Sequence, residues 1–181
     1  MRADAARNLE LLLAAARDLF TERGPDIPLD DVARRAGVGN ATLYRHFPTR
    51  GDLIVAVYSD EVAALCRHGD DLATAPDAGA ALFEWLDAFV VHIAAKRPLA
   101  LAVTEGADQR RTRLFAEWHR SITEVATRLL SRAASVGAVR GDLAIADLLA
   151  LTSAAAIASS DPDHARRLLS LLRTGFQPPG A

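Results

Sequence analysis

The side chains best equipped for recognition chemistry crowd into one short stretch of the chain: Asn40, Thr42, Tyr44, Arg45, His46 and, a few residues on, Arg50. Amide, hydroxyl, imidazole and guanidinium groups are the donors and acceptors that meet base edges and phosphate oxygens. The chemistry this composition suits is non-covalent recognition of a nucleic acid. Between residues 32 and 50 there are four arginines and no carboxylate. The field of that window is basic, although the whole chain carries 21 basic and 23 acidic residues for a formal net charge of −2. Even residues 1–50 hold eight arginines against seven acids. Bulk charge therefore argues for no polyanionic partner, and the case rests on motif geometry and the acid-free window.

Two short helices must hold these groups out, and residues 29–47 have the spacing of a helix-turn-helix. Ala33 is small where the second helix crosses the first. Gly37 can take the left-handed conformation that turns the chain, and Val38 and Leu43 fill the wedge between the helices. Val32 and Phe47 are expected to pack on a longer preceding helix. With Leu43 and Phe47 inward, Asn40, Thr42, Tyr44, Arg45 and His46 divide the outward and flanking faces of the second helix, which in this motif enters the major groove.

The rest of the chain reads as helix throughout. Apolar residues recur at three- and four-residue steps from Leu9 to Phe20, and Gly24-Pro25 ends that pattern. Helices are predicted after Pro28 and near Asn40. A long one starts at Gly51 or Asp52 and ends at residues 74–77, and another spans 79–96. Pro98 restarts a short segment that ends near Gly106. Then come a helix through Phe115, Trp118, Ile122, Val125 and Leu129 to Gly137, a helix over 143–159 capped by Asp142, and a last one opened by Asp161-Pro162. No window alternates apolar and polar residues as a strand would. The expected fold is all-α: an N-terminal three-helix helix-turn-helix DNA-binding domain over 5–65, then a helical ligand-binding and dimerisation domain over 66–181.

Several classes of function are excluded. The longest charge-free run, residues 148–160, falls short of the roughly 20 residues that cross a bilayer. The apolar run at residues 11–16 lacks a cleavage site, so the expected location is the cytoplasm. One cysteine, Cys66, allows neither an intrachain disulfide nor a cysteine zinc site. No phosphate-binding loop, metalloprotease helix or nucleophile elbow occurs, so no enzyme activity, cofactor or metal is expected. His68, Asp70 and Asp71 read as a solvated patch.

Ala33, Gly37, Thr42, Leu43, Tyr44, Phe47 and Arg50, at these spacings, resemble the TetR family of bacterial transcriptional regulators over residues 5–65. The departures are Gly39 where the family has a capping Ser, Arg50 for Lys, and Gly51 for an acidic residue. Lys96-Arg97, residues 137–140 and Asp142-Leu143 resemble the SbtR-like branch. The resemblance implies a homodimer on a pseudo-palindromic, double-stranded DNA operator, with half-sites a helical turn (roughly 34 Å) or a multiple of it apart. It also implies repression relieved by a small-molecule effector, with the long fourth helix as a rigid lever. On that footing Thr42, Tyr44, His46 and Arg50 contact phosphates, and Asn40 and Arg45, both capable of bidentate contacts, read base edges.

Two further patterns bear on the C-terminal half. Trp85, Phe89 and His92, and likewise Phe115, Trp118 and Ile122, form aromatic stripes that line either an effector pocket or plain core. Thr104 and His92 would be the polar groups of a mostly apolar pocket lined by Trp85, Phe89, Trp118 and Ile122. The helix over 143–159 is apolar nearly all round, and with the last helix suggests a four-helix dimer interface through Leu149, Ala155, Leu168 and Leu172, the alternative being a monomer core. A competing function is a helical small-molecule-binding protein or enzyme that kept the fold without DNA binding. The acid-free window argues against it.

Overall fold

In the computed structural model the described residues are 2–24, 26–94, 109–159 and 161–176. Among them there are eight helices and no strand, so the fold is all-α. The segment from Pro98 to Gly106, with Thr104, lies outside the described residues.

Local chemistry sets the helix ends. The first helix, α1 (Arg2–Arg23), stops at Gly24, whose φ of 80° needs a residue without a Cβ. After Pro28, α2 (Leu29–Ala36) carries Asp30 and Asp31 in its first turn, where carboxylates favour the positive end of the helix dipole. It closes at Gly37, with φ 66°. There the Val38 N–H donates to the Ala33 carbonyl (3.0 Å) and the Gly37 N–H to the Arg34 carbonyl (3.3 Å), the paired bonds of a Schellman turn. The seven-residue α3 (Asn40–His46) follows two residues later. Gly39 offers it no side-chain cap, and the Thr42 and Leu43 N–H groups bond to the Gly39 carbonyl instead.

The fourth helix, α4 (Arg50–Leu72), begins earlier than the sequence suggests. Thr49 and Asp52 form a reciprocal cap: the Thr49 N–H donates to the Asp52 carboxylate and the Asp52 N–H to Thr49 Oγ1, both at 3.1 Å. Asp77 caps α5 (Ala78–Ala94) by accepting the Ala80 N–H at 2.8 Å. The next helix, α6 (Gln109–Ser135), ends in a third left-handed turn at Gly137, with φ 72°. The expected start of the following helix is corrected. It is α7 (Ile145–Ala158), and Asp142 does not cap it: the N-cap position falls on Ala144, two residues further on, and both Asp142 carboxylate oxygens accept from Arg140 at 2.6 Å. Asp161 does cap α8 (Pro162–Phe176), accepting the His164 N–H at 2.8 Å. No described helix is long and apolar enough to cross a membrane.

The described residues fall into two compact units, residues 2–60 and residues 61–94 with 109–176; the boundary lies inside α4. In the first unit, Leu12, Ala16 and Leu19 of α1 bury against Val32 and Ala33 of α2, Leu43 and Phe47 at α3, and Leu53 and Val57 of α4. In the second, α5 packs against α6, α7 and α8. Trp85 is fully buried there, and its indole N–H donates to the Leu65 carbonyl at 3.1 Å. On the rim, Arg166 of α8 binds both oxygens of Asp87, and the Arg173 guanidinium lies 4.5 Å from the centre of the Phe83 ring. Burial pushes the half-buried Cys66 thiol up from its ordinary pKa, which makes it a poor nucleophile.

Candidate nucleic-acid interface

The position of α3 is set by what it buries. Leu43 is wholly enclosed and Phe47 nearly so, which fixes both the rotation of the helix and the direction of its remaining side chains. Asn40, Tyr44 and Arg45 are exposed, while Thr42 and His46 are half-buried. The His46 ring sits 6.1 Å from that of Phe47, tilted by 43°. Arg50, in the first turn of α4, is half-buried. The motif residues take the inner positions: Ala33 is buried, Val38 packs half-buried against the same core, and Gly37 makes the turn.

The electrostatics differ from what the acid-free window suggests. Carboxylates outside residues 32–50 fold back onto its arginines. Arg35 makes a two-pronged pair with Glu22, at 3.0 and 2.8 Å, which holds the Glu22 carboxyl below its ordinary range. Arg34 pairs with Asp31 at 2.8 Å, and Arg50 with Asp26 at 2.8 Å. Arg45 alone of the four makes no ion pair among the described residues. The Tyr44 hydroxyl donates to Asp30 at 3.1 Å, and this bond raises its pKa by favouring the protonated phenol. Asp26 and Asp30 are therefore part of the site. The sequence marks Asp30 only as a first-turn carboxylate of α2 and does not single out Asp26, because both precede the acid-free window in the chain.

In the second unit the aromatic stripes turn inward. Trp85 stacks on Phe89, with ring centres 5.5 Å apart and planes within 5°, and Phe89 stacks on His92 at 6.3 Å. Phe115 meets Trp118 edge-on at 5.0 Å. His92, Trp118 and Ile122 are buried. A separate open groove of about 620 Å³ runs along the outer face of α6, past His119, Arg120, Thr123 and Arg128. On α7, Leu149 and Ala155 face the interior of the unit; Leu151 is 43% exposed and Ile157 72%. On α8, Leu168 and Leu172 are half-buried beside Leu171, which is 71% exposed.

Comparison with known proteins matches the geometry at both ends of the chain. Residues 12–57 match the family described as bacterial regulatory proteins, tetR family, and residues 77–178 match the transcriptional regulator SbtR-like C-terminal domain. A TetR transcriptional regulator from Streptomyces coelicolor is 37% identical, with a TM-score of 0.80 over 95% of this chain and 99% of that one. A TetR transcription regulatory protein from Mycobacterium vanbaalenii is 34% identical, with a TM-score of 0.78 over 98% and 99% of the two chains. An HTH-type transcriptional regulator of Staphylococcus aureus is 35% identical over 69 residues, 38% of this chain; the match spans 37% of that relative's length. A helix-turn-helix whose inner positions are filled as the motif requires, joined to a C-terminal half that matches along nearly its whole length, places the chain in the TetR family of transcriptional regulators, with an SbtR-like C-terminal domain.

Proposed function

We propose that the protein is a cytoplasmic repressor that binds a pseudo-palindromic operator as a homodimer, reads bases through α3, and is released by a small, mostly apolar effector. The observation that carries this reading is Arg45. It is exposed on a helix whose rotation is fixed by Leu43 and Phe47, and it is the one arginine of the motif window without a carboxylate among the described residues. A guanidinium free of an internal partner has no ion pair to break when it forms the bidentate contact to a guanine edge. Asn40, exposed at the start of the same helix, is the second base reader. Thr42, Tyr44, His46 and Arg50 flank it for phosphate contacts, which set register without reading sequence.

Dimerisation is assigned to α7 and α8. Leu151, Ile157 and Leu171 leave apolar area in water that a second copy would cover, with Leu168 and Leu172 at its edge. Leu149 and Ala155 support that face from within. The effector is assigned to the region where α5 and α6 pack, with Phe89, His92, Trp118 and Ile122 lining it and Trp85, anchored to the Leu65 carbonyl, as its floor.

The test uses an inverted repeat from upstream of the gene and a scrambled duplex of equal length. Arg45→Ala should cost about 1–3 kcal/mol per half-site on the repeat and relax preference at one base position in each half. Arg50→Ala should weaken both duplexes alike and lower the salt dependence by at most about one ion per half-site. If neither substitution changes binding by a folded dimer, α3 is not the reading element.

A further inference from the structure

Two of the four groups assigned to the DNA backbone, Arg50 and Tyr44, are already occupied in the free protein, and by carboxylates. Asp26, 81% exposed, holds the Arg50 guanidinium at 2.8 Å. Asp30 accepts the hydroxyl of Tyr44 at 3.1 Å. We propose that Asp26 and Asp30 are intramolecular phosphate mimics that compete with the DNA backbone for Arg50 and Tyr44, and so set the affinity of the reading head for any duplex. The inference rests on the DNA-reading assignment above.

The chemistry of each pair makes the competition direct. A phenol has one proton, and a phosphodiester oxygen can only accept. While Tyr44 donates to Asp30 it cannot donate to a phosphate, so contact with DNA requires the first bond to break. Arg50 has donors to spare, but its charge is balanced locally by Asp26, which reduces the counterion release that drives backbone binding. Among the described residues Asp26 has no arginine other than Arg50, and Asp30 has none, whereas Asp31 is held by both Arg23 and Arg34. Both belong to the short stretch that enters α2, so the chain brings the two competitors to the motif together. A phosphate replacing each carboxylate also leaves that carboxylate facing the DNA, which adds repulsion to the exchange.

Fluorescence anisotropy on the operator and on a scrambled duplex, at several salt concentrations, tests this with the full-length protein. Asp26→Asn and Asp30→Asn should each tighten binding to both duplexes by the same factor, about two- to fivefold per half-site, the range that exposed ion pairs span. Asp26→Asn should also steepen the salt dependence. Partner dependence separates competition from a general loss of negative charge. The gain from Asp26→Asn should vanish in an Arg50→Ala background, and that from Asp30→Asn in a Tyr44→Phe background. Asp18→Asn, at an exposed carboxylate of α1, supplies the scale of the unspecific effect. Gains that persist without the partner, gains no larger than that of Asp18→Asn, or a loss of affinity would each overturn the inference. Should Asp30→Asn unfold, Asp30→Ser keeps a polar first turn on α2 and removes the charge. If the unmodified protein binds neither duplex at low salt, the DNA-reading assignment fails instead.

Discussion

Gly69 lies in α4 among the helices of the second unit, where replacing it with alanine sets two effects of opposite sign against each other. A Cβ there would stand 2.8 Å from the Trp85 Nε1 and 3.0 Å from its Cδ1, and would collide with the Val125 Cγ1 methyl. Neither neighbour yields easily. A β-branched side chain on a helix has one favoured χ1, and the indole is fully buried and tied to the Leu65 carbonyl. Alanine in place of glycine inside a helix is worth about 1 kcal/mol in favour of folding. Overpacking costs about 1–3 kcal/mol, and an indole N–H pushed off its carbonyl about 1–3 more. The net is a loss of about 1–5 kcal/mol, against a gain of up to about 1 for Gly175→Ala in α8, where an added Cβ meets nothing within 4 Å. Urea unfolding at one fixed protein concentration measures the difference, since subunit association would otherwise shift the midpoint. Tryptophan emission of a Trp118→Phe background reports the Trp85 environment in the folded baseline. A Gly69→Ala protein as stable as the parent, in step with Gly175→Ala, would refute the close approach of the α4, α5 and α6 side chains at this point.

Other expectations follow from which apolar residues face water. Leu151→Glu combined with Ile157→Glu should give a folded monomer of 19.3 kDa in sedimentation and abolish operator binding, whereas Leu149→Glu, which buries a charge, should unfold the protein. A double variant that still sediments as a dimer would remove α7 from the interface. Trp118→Ala or His92→Ala should change the effector concentration needed to release DNA while leaving effector-free affinity within about twofold, because coupling of about 1–3 kcal/mol resides in the linkage between sites. Loss of folding in both would assign these side chains to the core alone.

Much of this architecture was legible because short-range chemistry decided it. Gly24, Pro28, Gly37 and Asp161-Pro162 end or begin helices through constraints confined to a few neighbouring residues. Competition between local partners is harder to read. Asp142 is a sound N-cap by type, but Arg140, two residues away, takes both of its oxygens. Thr49 and Asp52 carry the spacing of a capping pair, yet Gly51 drew attention as the start of the helix. The phase of α7 was not legible at all. A helix apolar nearly all round has no preferred face until α5 and α8 pack against it, and that packing turns Leu149 inward and Ile157 outward. The charge of the motif window failed for a related reason: Glu22 and Asp26 reach Arg35 and Arg50 across 13 and 24 residues, which a count along the chain does not see.

That pairing changes how the proposed reading head would have to work. With three of the four window arginines balanced by carboxylates and a net charge of −2 on the chain, sequence-independent attraction to DNA is weak, since it scales with the phosphates a protein can neutralise. The affinity must then come from base contacts, of which one copy of α3 offers Arg45 and Asn40. A bidentate contact is worth about 1–3 kcal/mol, too little for a monomer to select a site in a genome. Two copies held at the half-site spacing double that energy within a single binding event. A dimer so built depends steeply on the distance between its heads, because a small change in spacing removes one of the two sets of base contacts and little backbone attraction remains to hold the protein on DNA. The internal neutralisation of Arg34, Arg35 and Arg50 is thus what would make release by an effector effective.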